Sequence, residues 1–274
     1  MSVEHEVAGH YTHGALAEAI RTALVAAGKD PAQVTPQDLA PIDEFHIGGG
    51  AATEALFAQV APAAGTRWLD LGSGLGGPAR HLALTYGCDV TGIDLTEEYV
   101  AVASDLAARV GLGGKVSFRH GSALDLPFDA GSFDGASLMH VGMNIADKAA
   151  LFAGVRRVLR PGGTFAIYDV MRTGDAPLVF PVPWAASART SFVETPATYR
   201  AALAQAGFSV VAERDRAAFG LEFFRAMQAR LAAHGRPALG LHILFGEDAP
   251  QKTANMIRNL QDGTIAPTEM IARA

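Results

Sequence analysis

The chain has 274 residues, 49% of them apolar and 18% charged, with 22 Lys+Arg against 28 Asp+Glu, enough for a substantial core in one large domain and unlike a disordered chain. A formal net charge of −6 argues against non-specific binding to nucleic acid or an anionic membrane, and the single Cys88 excludes an intrachain disulfide or a cysteine-cluster metal site. No apolar run reaches the roughly 18 residues of a membrane span and no basic-then-apolar leader opens the chain, so the expectation is a soluble, cytoplasmic protein.

In chain order, Leu16, Ile20 and Leu24 recur every four residues before Gly28, which predicts an amphipathic helix over 12–28. Thr35-Pro36 reads as N-cap and first-turn proline of a short helix ending near Pro41. A polar, aromatic and glycine-rich stretch (43–50) follows, then a helix over 51–61. From residue 66 strands and helices alternate. RWLDLG (67–72), CDVTGID (88–94), KVSFRH (115–120), FDGASLM (133–139), TFAIYDV (164–170), FSVVAERD (208–215) and APTEMIARA (266–274) read as seven strands. Helices open at Gly77-Pro78, after Thr96 with Glu97 and Glu98 in the first turn, after Asp147, and at Thr195-Pro196; further helical patterns span 220–234 and 248–262. This pattern predicts an α/β doubly wound, mostly parallel seven-stranded sheet. Residues 1–64 would form an N-terminal helical cap on a core of 65–274, with 171–194 inserted after the fifth strand as a further cap, too apolar for a linker.

The most informative segment is Asp70-Leu71-Gly72-Ser73-Gly74-Leu75-Gly76-Gly77, lying between a strand and a helix where open α/β sheets bind ligands. Gly72, Gly74 and Gly77 satisfy G-x-G-x-x-G, a weak signal by itself. Asp70 argues against a dinucleotide: a carboxylate at the entrance to the turn repels a pyrophosphate and suits a ligand with a cationic end. Asp94, 24 residues on at the end of the second strand, suits ribose hydroxyls. An ammonium near the loop and a ribose at the next strand describe S-adenosylmethionine (SAM).

DLGSGLGG, GIDLT, GSALDLPFDAGSFD and LRPGG, in this order, resemble the successive motifs of class I SAM-dependent methyltransferases, over about residues 66–215. By texture the chain resembles the small-molecule branch related to ubiquinone/menaquinone C-methyltransferases and sarcosine/dimethylglycine-type N-methyltransferases. The resemblance implies a Rossmann-like fold and SAM as methyl donor. Asp70 would face the methionine ammonium through a backbone wall of Gly72, Ser73, Gly74 and Gly76. Asp94 and Leu95 would hold ribose and adenine, and Ser122, Ala123 and Leu124 would edge the adenine. Ser122 departs from the pattern, since relatives usually carry an acid there to accept from the adenine amine. Asp125 is a substitute by position, although the LDLPF turn explains it as well.

In relatives an N-terminal helical segment covers the pocket, often with a His-x-Gly element, which Phe45-His46-Ile47-Gly48 resembles. Tyr11, Phe180, Trp184, Phe192, His242 and Phe245 are candidate pocket lining. The expected reaction is methyl transfer to N, O or C of a small organic metabolite, by alignment in a dry pocket. His140, after the fourth strand, is a candidate base or a cofactor-facing residue, with His46 and Tyr11 as alternatives. No metal is expected, because no tight carboxylate cluster follows that strand. An NAD-dependent oxidoreductase on the same fold and a non-catalytic SAM-binding protein are the competing readings. The sequence leaves the oligomeric state open.

Overall fold

Seven apolar runs become the strands of one sheet in the computed structural model, which describes residues 2–274. They are β1 (Arg67–Leu71), β2 (Asp89–Asp94), β3 (Val116–His120), β4 (Phe133–Met139), β5 (Leu159–Arg172), β6 (Ser209–Asp215) and β7 (Ile265–Arg273). Their order is β3-β2-β1-β4-β5-β7-β6; the pairs from β3 through β5 are parallel, and β7 runs antiparallel between β5 and β6. Strand order reverses between β1 and β4, which opens a crevice at their carboxyl ends.

Four helices precede the sheet: α1 (Val3–Tyr11), α2 (Leu16–Ala26), α3 (Pro36–Asp43) and α4 (Gly50–Val60). Within the sheet region lie α5 (Gly77–Tyr86), α6 (Glu97–Arg109), α7 (Lys148–Val158), α8 (Pro196–Gln205), α9 (Ala217–His234), α10 (His242–Phe245) and α11 (Ala249–Gln261). Alternation along the buried strands sends side chains to two cores. On one face Trp68 packs with Leu56 and Phe57 of α4 and Leu82 of α5; on the other Leu69 and Leu71 join Phe152 of α7 and Leu203 of α8. A third cluster joins Leu16, Ile20 and Leu24 of α2 and Leu39 and Ile42 of α3 to Tyr99, Val102 and Leu106 of α6. The inserted stretch after β5 has almost no regular structure, yet Val182 and Trp184 pack with Phe224 of α9 and Met256 and Leu260 of α11. No helix among the described residues is long and apolar enough to cross a membrane.

Local signals placed most boundaries, and three differences have physical causes. Helix α1 was not anticipated: Glu4, His5, Glu6 and His10 crowd its sequence and it buries only Val7. The helix expected over 12–28 starts at Leu16, and its N-cap, Ala15, offers no capping side chain. Glu98 of α6 supplies the cap instead, accepting from the backbone N–H of His13 (2.6 Å), Gly14 (3.0 Å) and Leu16 (2.8 Å). Glu98 therefore fastens the α1–α2 joint besides complementing the dipole of its own helix. Finally, α3 runs past Pro41 to Asp43, started by a reciprocal capping box between Thr35 and Asp38.

Candidate active site

The turn after β1 is built by glycine for steric reasons. Gly72 and Gly74 have φ of +64° and +51°. A Cβ on Gly72 would lie 2.3 Å from Val141, and one on Gly74 2.6 Å from the Phe45 ring. The loop is thus pressed between the segment after β4 and the cap. Asp94 fixes it from the end of β2: Oδ2 accepts from Gly74 N–H and Oδ1 from Thr96 N–H, both at 2.8 Å. Burial raises the Asp94 carboxyl above its ordinary range, and these two bonds oppose the shift.

Asp70 lies beneath the loop. Its Oδ1 accepts from Ser137 Oγ at 2.7 Å, while Oδ2 is buried without a partner. Burial pushes this carboxyl up to about 7. Ser73 Oγ and Nε and Nη1 of Arg80 are also buried and unpartnered. Native interiors tolerate few such groups, and here four such atoms gather around one loop.

A cavity of about 210 Å³ opens at the carboxyl ends of the strands. Its wall takes Gly72, Asp94 and Leu95 from the carboxyl ends of β1 and β2 and the turns that follow, Ser122, Ala123 and Leu124 from the turn after β3, and His140, Val141 and Asn144 from the segment after β4. Glu4, Val7 and Tyr11 of α1 and Phe45 close it. Glu4, Asp94 and Asp147 face it, with no Lys or Arg. Among the expected site residues, Asp70, Ser73, Gly74, Gly76 and His46 sit behind this wall rather than in it. Of the six aromatics and histidines expected to line the pocket, Tyr11 alone does. Phe180 and Trp184 pack into the α9–α11 core and Phe245 against the α2–α3 cluster, because wide rings pack where apolar neighbours surround them.

The two histidines differ in commitment. His140 has φ +54°, a strained conformation for a non-glycine residue, and donates its backbone N–H to Tyr168 O at 2.7 Å. Its Nε2 accepts the backbone N–H of Ile47 at 3.4 Å. In a neutral ring the proton then sits on Nδ1, which is buried without a partner. Burial, with His46 nearby, holds this imidazole well below the usual histidine range. His46 contacts Gly49 O and Thr53 Oγ1, both at 3.0 Å, and burial lowers it to about 4.

Around His46 lies a network that sequence reasoning missed. Thr53 Oγ1 donates to Glu44 Oε2 at 2.6 Å, Tyr168 Oη donates to Ile47 O at 2.8 Å, and Arg80 pairs with Asp43. Burial, reinforced by Asp43, pushes Glu44 up to about 8. The stretch of 43–50 carried the signal: a polar run with aromatics and glycines is seldom plain loop, but its partners on α4, α5 and β5 are distant in sequence.

At the far end of the cavity Ser122 Oγ donates to the carboxylate of Glu4. Helix α1 thus brings a carboxylate to Ser122. Asp125 belongs to the turn, its N–H donating to Ser122 O at 3.2 Å.

Residues 69–167 match the family model of a methyltransferase domain. An O-methyltransferase, cnsE, of Penicillium expansum is 32% identical over 181 residues, 56% of this chain and 66% of that protein. A sterol 24-C-methyltransferase, ERG6B, of Gibberella zeae is 35% identical over 109 residues, 40% of this chain and 29% of that protein. The chain thus spans less than two thirds of these relatives. Among solved structures, a geranyl diphosphate C-methyltransferase of Streptomyces coelicolor superposes with a TM-score of 0.71 at 16% identity, covering 100% of this chain and 98% of its own. The region from β1 to β5 is a methyltransferase domain, and the sheet is the class I methyltransferase fold.

Proposed function

We propose that this chain, built on a methyltransferase domain, binds SAM along the carboxyl ends of β1–β3 and transfers its methyl group to a small organic acceptor held against the segment after β4. One observation carries the reading. Two carboxylates flank the glycine loop: Asp94 lines the cavity, and Asp70, behind its wall, lies beneath the loop with Oδ2 unpartnered, a pair that suits a ligand with a cationic end. Asp94 keeps free lone pairs on both oxygens for a vicinal diol. Ser122–Leu124 edge the base, and Glu4 gives its exocyclic amine an acceptor.

Bound SAM supplies an already activated methyl group on a sulfonium. The chain then aligns the acceptor and excludes water. Because its Nε2 is taken by Ile47, His140 acts through Nδ1–H as a hydrogen-bond donor to the bound molecules rather than as a base. His46, bonded within the cap, lies behind His140 at 5.9 Å between ring centroids, and the Ile47 N–H orients the His140 ring. With three acids and no Lys or Arg on its wall, the cavity disfavours an anionic acceptor such as a phosphate ester. A neutral or cationic, largely apolar metabolite suits it.

Calorimetry with S-adenosylhomocysteine tests the reading. Asp94→Ala leaves ribose hydroxyls unpaired, a cost of about 1–3 kcal/mol, or roughly 5- to 150-fold in affinity. Unchanged affinity in a folded Asp94→Ala protein, or NADH bound in place of the adenosyl compound, overturns it.

A further inference from the structure

We propose that Asn144 is a positioning residue: it docks the end of α1 and turns the Tyr11 hydroxyl into a hydrogen-bond acceptor facing the cavity. The inference goes beyond the methyltransferase reading and rests on it only for the identity of the probe.

Asn144 is buried in the 3-10 turn Gly142–Asn144 after β4. Its Nδ2 donates to Trp184 O at 2.9 Å and to Thr190 O at 3.0 Å. Both amide protons are thereby spent on the inserted stretch, and Oδ1 must face the third neighbour. That neighbour is the Tyr11 hydroxyl, at 3.1 Å. A flipped amide would set its oxygen against two carbonyl oxygens, so only one orientation is compatible with the surroundings. A phenol has one proton, and Tyr11 gives it to Asn144. What Tyr11 shows the cavity is lone pairs. Burial, with Asp94 and Asp169 nearby, keeps the phenol protonated. The group it recognises is a donor, an N–H or O–H on the acceptor molecule.

The arrangement also explains what the inserted stretch does. It contributes no side chain to the cavity wall, yet three of its carbonyls hold the wall in place: two bind Asn144, and Pro183 O meets His10 Nε2 at 2.9 Å. The C-terminal end of α1 is thus docked through one side chain and one adjoining carbonyl.

Five proteins test this: wild type, Asn144→Ala, Tyr11→Phe, which removes only the hydroxyl, the double variant and Asn144→Asp. Hydrogen exchange of residues 3–11 in the free protein is expected to quicken about tenfold in Tyr11→Phe, a loss on the scale of one hydrogen bond, and at least as much in Asn144→Ala. Dissociation of S-adenosylhomocysteine in stopped flow should quicken about five- to tenfold. The double variant should behave like Asn144→Ala alone, because Tyr11→Phe removes a contact that Asn144→Ala already breaks. Asn144→Asp, which keeps the acceptor toward Tyr11 but lacks amide donors for the two carbonyls, should not restore slow release. Additive effects, or α1 exchange unchanged in Tyr11→Phe, overturn the proposal. If Asn144→Ala fails to fold, Tyr11→Phe alone decides it. Failure of the wild type to bind S-adenosylhomocysteine defeats the function proposed above, while exchange in the free protein still tests Asn144.

Discussion

The helices before the sheet are two different kinds of cap. Helices α2–α4 are built in: Leu16, Ile20, Leu24, Leu39, Ile42, Leu56 and Phe57 are all buried against α5 and α6 or one another. Each such side chain contributes about 1.5–3 kcal/mol by leaving water. Helix α1 buries only Val7 and is held by polar contacts: Glu4 to Ser122, Glu6 to Arg189 at 3.0 Å, His10 to Pro183 O and Tyr11 to Asn144. Net, each is worth about 0.5–1.5 kcal/mol, and the Arg189 pair less because that side chain is exposed. On these contacts α1 is expected to open more easily than α2–α4, with the joint held by Glu98 as its pivot.

The largest expected effect sets these two caps apart by stability. Leu39→Ala should cost about 2–5 kcal/mol in urea unfolding, as for other fully buried leucines, and Val7→Ala below about 1 kcal/mol. Similar losses for both would make α1 part of the folded body. A smaller effect comes from pH. Burial raises Glu44, so its proton favours the folded state: that contribution is complete below the ordinary glutamate range and is lost as pH rises through about 8. Across that window stability should fall by up to about 1.4 kcal/mol per pH unit from this group, and Glu44→Gln should flatten the slope. The same slope in both proteins would remove Glu44 from the account. Smallest is Glu4→Gln, which should weaken S-adenosylhomocysteine about three- to tenfold with little change in unfolding midpoint, since glutamine keeps an oxygen that accepts from Ser122. An analogue lacking the 6-amino group should bind both proteins alike; discrimination by both proteins alike would place the amine elsewhere.

The sheet, the glycine loop and the Asp70/Asp94 pair were legible in the order of residues alone. These depend on short-range rules: buried strands read as apolar runs, positive φ calls for glycine, and helices begin at caps. The segment 43–50 could be seen to be unusual, but its meaning could not be read, because Glu44, Thr53, His46 and Ile47 acquire roles only against α4, α5, β4 and β5. Only the tertiary structure decided the rest. It put Glu4 at Ser122, 118 residues apart in sequence, and Tyr11 at Asn144, 133 apart. It moved Trp184 and Phe192 out of the cavity wall and took the lone pair of His140 for Ile47. A hydrogen-bond partner across such separations leaves no periodicity or spacing in the chain. It is set by which carbonyls and N–H groups remain unpaired once the sheet has closed, and burial makes leaving them unpaired too costly.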